Sequence, residues 1–274
     1  MKDWTGILRL EAENRLGKTV AKDIFFQGAF KVQRPHYYDG SGQACYYILN
    51  PGGGYLNGDR YKMEFLLNEQ SELLLTTQSA TKVYKTPTQP VYQETEISLK
   101  AGSYLEYIPD PLIAYRHARY KQKNIIRMEK GSTFLYTDIL TPGWSPDGEL
   151  FAYDMLQLKN EIYMDDRLVV YDHIKLNPLE QIIYEIGFME GFTHLGSMIV
   201  IGEQVNAEFL DRLYESLEVN TSQYSVGLSL LPVPGFTLRV LAASTQQIES
   251  IFARCHQMIR QEWFNRKPVF LRKY

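Results

Sequence analysis

The chain has 274 residues, 45% hydrophobic and 22% charged, a composition able to build a substantial buried core. A formal net charge of −3 and a pI near 6.0, without any run of Lys and Arg, argue against a nucleic-acid binder. Twenty tyrosines stand out, a residue that favours strands and half-buried contact surfaces.

The first residues, MKDWTGILRLEAENRLGK, mix acids and bases and hold no apolar core of signal-peptide length. The longest apolar run, around 197–201, is far too short to cross a bilayer. Cys45 and Cys255 are too few and too far apart for a disulfide framework, which points to a reducing compartment. A cytoplasmic protein is expected.

From residue 7 onward, apolar and polar residues alternate with period two. Leu8, Leu10 and Ala12 share one face while Arg9, Glu11 and Glu13 share the other. Further strands are expected over 20–26, 44–49, 61–67, 72–77, 92–99, 104–108 and 124–128. The series continues with 133–140, 150–158, 161–171, 181–186 and 192–201, punctuated by Gly, Pro, Asn and Asp. Strands do not alternate with helices, so a doubly wound nucleotide fold is not expected. Two helices come late. Asn206 caps one over 207–217, and Ser244-Thr245-Gln246-Gln247 resembles a capping box that opens a longer one. In the second helix Ile248, Ile251, Phe252, Cys255, Met258 and Ile259 form an apolar stripe, and Pro268 lies beyond its end. Cys255 is thereby read as a packed, inert thiol. With no repeat and no linker, the fold class is mainly β: one domain over 1–274, β-rich over 1–203, with a helix-containing subregion over 204–274.

Catalytic signatures are sparse. His36, His117, His173, His194 and His256 are isolated in sequence, and no metal-binding pair of His or Cys occurs. A weak, oxygen-rich site for a divalent ion needs no recognisable motif and stays open. His256 borders the apolar stripe and is read as structural, and His117 lies between Arg116 and Arg119, which disfavours its charged form. No nucleophile elbow is present. Asp147 and Glu149 beside Trp144 suggest a carbohydrate-active or sugar-binding protein, although Pro146-Asp147-Gly148 also reads as an ordinary turn. Asp165-Asp166 reads as a hairpin turn.

Residues 50–61, NPGGGYLNGDRY, approach the glycine spacing of a phosphate-binding loop. That loop needs a lysine and a hydroxyl where Asp59 and Arg60 stand, and it must open a helix. Here it joins two expected strands, and Asp59 would repel a phosphate. The glycines therefore serve a close backbone approach, with Asp59 presented beside it.

Three blocks in order carry a family resemblance. Gly53, Gly54, Gly58 and Asp59 come first, then Thr76-Thr77-Gln78-Ser79-Ala80-Thr81-Lys82-Val83-Tyr84, then Leu105-Glu106-Tyr107-Ile108-Pro109-Asp110-Pro111-Leu112-Ile113. Arg119-Tyr120, Gly6-Ile7-Leu8-Arg9-Leu10 and Val32-Gln33-Arg34-Pro35 fit as well. This set resembles the urease accessory protein UreD family, also called UreH. One departure is Trp144 after Gly143, where many members carry arginine; Gly148-Glu149 keeps the Gly-Glu part.

The resemblance implies a β-rich, helix-like stack of strands and no enzymatic activity. It implies a scaffold that joins the accessory protein UreF and the GTPase UreG, docks on apo-urease and inserts nickel, with a dimer possible within the complex. No tightly bound cofactor is implied; nickel is in transit. A closed, tight site would trap such an ion, so single carboxylates along a polar path are expected. Asp59, Glu106, Asp110 and Glu149, each in or beside a matched block, are the expected stations. Gly53, Gly54, Gly58, Thr77, Gln78, Lys82, Tyr84 and Pro109 are expected to order the loops.

Overall fold

The computed structural model of the chain describes residues 4–218 and 223–271. A hairpin comes first: β1 (Gly6–Arg15) and β2 (Lys18–Gly28) turn at Leu16 and Gly17, both at positive φ. That geometry matches the twist of the flanking strands. The two-residue β3 (Lys31–Val32) leads to β4 (Ala44–Leu49), and from there the chain coils. In each coil a strand of one sheet is followed by a strand of the other. The first coil comprises β5 (Arg60–Leu67), β6 (Glu72–Thr77) and the short β7 (Thr81–Val83). The second comprises β8 (Val91–Leu99), β9 (Tyr104–Ile108) and the short β10 (Leu112–Ala114); the third begins with β11 (Arg119–Met128) and β12 (Thr133–Leu140). A hairpin of β13 (Met155–Met164) and β14 (Arg167–Leu176) follows, then β15 (His194–Ile201), α1 (Ala207–Ser216), β16 (Tyr224–Leu230), β17 (Gly235–Ala242) and α2 (Thr245–Phe264).

Successive coils stack in parallel register. The first sheet runs β14-β13-β11-β8-β5-β1-β2, parallel from β13 to β1 and antiparallel at its two margins. The second runs β16-β17-β15-β12-β9-β6-β4-β3, with β4, β6, β9 and β12 parallel. On the third side of the coil β7 pairs with β10, Tyr55 bridges Val83 and Tyr115 bridges Trp144. The coils share no sequence repeat because the ladder is made by backbone groups, and only the alternation of side chains has to recur.

Leu8, Phe65, Leu75, Leu105 and Phe134 fill the space between the sheets. On the outer face of the second sheet, Leu135, Met198 and Leu238 meet Phe209 and Leu213 of α1 and Ile248 and Ile259 of α2. Both helices start where expected: the Asn206 side chain accepts from Phe209 N–H at 2.8 Å, and Ser244 caps Gln247. Cys255 is buried in this layer, and burial pushes its thiol up to about 12. The outer face of the first sheet carries solvated ion pairs such as Lys62–Glu96 at 2.9 Å.

Some boundaries differ from the sequence reading. The expected strand over 161–171 breaks at Asp165-Asp166, both at positive φ, so these residues do form the hairpin turn. Residues 150–154 lie in a loop, and β13 starts only at Met155. Residues 181–186 form turns instead of a strand, because Ile183 anchors inward while its apolar neighbours face solvent. The C-terminal subregion also adds β16 and β17 to the second sheet.

Candidate functional site: the polar space between the sheets

The glycine loop leaves β4 and enters β5, strand to strand, and lies against β7. Tyr55 N–H donates to the Lys82 carbonyl at 2.7 Å, and Tyr84 N–H to the Tyr55 carbonyl at 2.9 Å. Gly54 permits this approach, since a Cβ there would stand 2.5 Å from the Tyr84 ring and 2.9 Å from the Lys82 oxygen. Asp59 closes the turn: it accepts from Leu56 N–H at 2.7 Å, the Tyr61 hydroxyl at 2.9 Å and the Thr5 hydroxyl at 3.2 Å. Tyr61 stacks on Tyr55 with 3.9 Å between ring centroids, so the loop anchors the tyrosines that line the interior.

Beneath the loop lies a cavity of about 120 Å³ bordered by Asn50, Gly54, Thr77, Gln78, Thr81 and Lys82. A smaller cavity of about 40 Å³ lies deeper and shares Phe30, Ile48, Tyr55, Thr77 and Thr81 with the first. Asp110, Asp138, Gln93 and Gln122 line it, together with the rings of Tyr107, Tyr120 and Tyr136. Its volume matches roughly two or three water molecules.

The lining is polar because residues in register across parallel strands stack into rows. Tyr61, Gln93 and Gln122 form one row on the inner face of the first sheet, and Thr95, Asn124, Asn160 and Asp172 form the next. The Tyr55 hydroxyl donates to Gln93 at 2.7 Å, and the Tyr120 hydroxyl to Gln122 at 2.9 Å. From the facing sheet the Tyr136 hydroxyl accepts from Gln122 at 2.8 Å and Asn124 at 2.9 Å, and donates to Asp138 at 2.6 Å. Asn124 donates to Asn160 at 2.8 Å, Asn160 to Asp172 at 3.0 Å, and Arg239 pairs with Asp172. A hydrogen-bonded chain thus crosses the interior from the inner cavity to β17. Burial pushes the Asp138 carboxyl up to about 7 despite the hydrogen bonds from Tyr136 and Gln122.

The four carboxylates expected from the sequence fall in different places. Asp110 lines the inner cavity, where it accepts from the Thr77 hydroxyl at 2.8 Å while its own N–H donates back to that hydroxyl. Asp59 sits at the same end, one tyrosine removed. Glu106 points the other way, since the pleat of β9 turns Leu105 and Tyr107 inward and Glu106 outward to α2. There, fully buried, it accepts from Arg260 at 2.6 Å and from the Tyr104 hydroxyl, with His256 at 3.1 Å. Burial alone would raise the Glu106 carboxyl; His256 and Arg260 overcome that and hold it at about 2. Glu149 is exposed on an outer turn, where it and Asp147 both hold Arg116, at 2.7 and 2.6 Å. His117, which the sequence set among cations, has the Asp154 carboxylate 3.1 Å from its ring. Gln78 N–H donates to the Ile48 carbonyl, Thr81 N–H to the Pro111 carbonyl, and the Tyr84 ring packs at a tilt against Tyr115, 4.7 Å between centroids.

Asp138 was missed by the motif reading. The available signal was a lone acid at an inward position of a wholly buried strand, beside Gln122 and Asn124 at inward positions of the neighbouring sheet.

The family model described as UreD urease accessory protein matches residues 5–273. The chain belongs to the UreD family. It is 50% identical over 274 residues to the urease accessory protein UreD of Lachnoclostridium phytofermentans, covering 100% of each chain. It is 45% identical over 275 residues to the Staphylococcus aureus protein of the same name from strain bovine RF122, covering 100% of this chain and 99% of that one. In this UreD-family member no helix is long and apolar enough to cross a membrane, and no three His, Cys, Asp or Glu residues group to hold a metal ion, among the described residues. What the UreD-family interior does offer is carboxylates set singly among hydroxyls and amides, donors that suit a hard or borderline cation keeping part of its water.

Proposed function

We propose that this protein serves urease maturation as a non-catalytic scaffold in the cytoplasm, and that its interior passes nickel toward apo-urease. In this reading it joins UreF and the GTPase UreG, and GTP hydrolysis belongs to that partner. The observation that carries the reading is the polar cavity pair under the family's glycine loop, in a chain that matches the family from end to end. Asp110 and Asp138 take the role of stations: each is a lone carboxylate set among hydroxyls and amides at the inner cavity. Single carboxylates bind such an ion briefly, whereas a closed tetrahedral set would retain it. Asp59 acts by positioning, through Tyr61 and Tyr55, and Glu106 by fastening α2.

Co-expression with a urease gene cluster tests this. Asp110→Asn and Asp138→Asn complexes are expected to assemble normally yet to yield urease with less nickel per subunit and proportionally lower activity. Glu149→Gln, on the outer turn, is expected to load nickel fully. Full loading in both interior variants would remove the interior from the path. Glycan turnover by the isolated chain would instead favour the carbohydrate-active alternative.

A further inference from the structure

The turns between β14 and β15 display apolar side chains in an unusual way. The loop is held by its own backbone: Met189 N–H donates to the Ile183 carbonyl at 3.0 Å, Gly191 N–H to Tyr184 at 3.2 Å and Phe192 N–H to Met189 at 2.7 Å. Ile183 and Met189 pin it to the core, and the Tyr184 ring meets Phe151 edge-on at 5.3 Å. Around those pins Ile186 is 91% exposed, Leu179 78% and Ile182 65%. The buried Phe151 ring sets this loop against the 142–154 loop, on which Leu150, next in sequence to Phe151, is exposed. The folded monomer gains nothing by holding isoleucine and leucine in water, and exposed apolar side chains gathered on one short, internally braced loop mark a contact site. Because the turns are already fixed, little ordering is needed on contact.

Charge narrows the partner. Glu180, Glu185 and Glu190 lie among the apolar side chains, with Asp147 and Glu149 on the adjoining loop, and residues 141–154 and 176–193 contain no Lys or Arg. The neighbouring Arg116 is already engaged by Asp147 and Glu149. A second copy placed face to face would set acid against acid, and an anionic membrane would be repelled.

We propose that this face docks a protein whose own surface is apolar at the centre and rich in lysine or arginine at the rim. The inference rests on the maturation reading, in which that protein is a component of the assembly.

The test measures binding of the wild-type chain, Ile182→Glu/Ile186→Glu and Glu180→Lys/Glu185→Lys to purified UreF, UreG and apo-urease, each separately, by calorimetry at low and high salt. The isoleucine variant is expected to bind one component at least about tenfold more weakly, the scale of one lost hot spot. The lysine variant is expected to weaken binding to the same component and to flatten its salt dependence. Both are expected to keep the wild-type melting temperature, since the altered side chains are exposed. Wild-type binding of all components by the isoleucine variant would overturn the docking face while leaving the maturation reading intact. Loss confined to self-association, or capture of the wild type by anionic vesicles, would overturn it as well. A wild-type chain that binds none of the three overturns the maturation reading and this inference with it.

Discussion

Replacing Asp138 with asparagine removes a buried carboxyl while keeping its shape and an acceptor for the Tyr136 hydroxyl. In the folded chain, burial lifts this carboxyl from an ordinary 3.8 to about 7. The folded state therefore holds the proton more tightly than the unfolded chain. The associated stability is complete below pH 3.8 and is lost as pH rises through about 7. A shift of about 3 units, at about 1.4 kcal/mol each, leaves the wild type about 4 kcal/mol less stable above pH 7 than the same fold with a neutral group there. Asparagine never ionises and escapes the loss. Urea unfolding followed by circular dichroism from about pH 4 to 8 is expected to show the Asp138→Asn advantage widening by a few kcal/mol across that range. Parallel stability curves would refute the claim that Asp138 ionises inside a closed, poorly solvated space.

Arg260→Met leaves Glu106 fully buried without its guanidinium partner and is expected to cost about 3–5 kcal/mol in urea unfolding; adding Glu106→Leu is expected to recover part of that cost. Glu106 is held at about 2 against an ordinary 4.5, so its contribution is present above pH 4.5 and is lost as pH falls toward 2. Acid unfolding of Glu106→Gln is expected to depend less steeply on pH in that window than the wild type. Gly54→Ala forces a Cβ onto the Tyr84 ring and the Lys82 carbonyl, and is expected to cost about 1–3 kcal/mol, read as a lower melting temperature.

The alternation of single side chains made most strands legible, and β9 falls on residues 104–108 as the sequence indicates. The helix caps at Asn206 and Ser244 were legible for the same reason: they act over three residues. What failed was any property needing two coils at once. The coils carry no sequence repeat, so nothing local told that Gln93 and Gln122 stack, or that Tyr136 reaches across to Asn124. Glu106 shows the limit most clearly. Its motif was recognised, but a one-residue offset from Leu105 decides whether it faces the cavity or α2, and α2 lies about 150 residues away in sequence. Residues 181–186 alternate well enough to read as a strand, yet the inward anchor at Ile183 and the turns that follow it leave no ladder to join.

The two faces of the second sheet divide the protein's requirements. Its inner face, with the first sheet, tolerates hydroxyls, amides and a carboxyl of raised pKa, at a cost in cohesion. Its outer face compensates. There Arg260, fully buried, ties α2 to Glu106, to Gln43 at 2.8 Å, to Asp39 at 2.9 Å and to the Lys267 carbonyl at 3.0 Å, fastening helix, sheet and the 39–43 loop through one side chain. The proposed role and the fold's stability are thereby carried by opposite sides of the same strands. Arg260→Met should therefore lower the amount of folded protein while each complex that does assemble still delivers its nickel. Asp138→Asn should do the reverse, leaving a more stable protein that delivers less. Nickel content of urease, normalised to the accessory complex recovered with it, separates the two, and equal losses per complex in both variants would show that the faces are not independent.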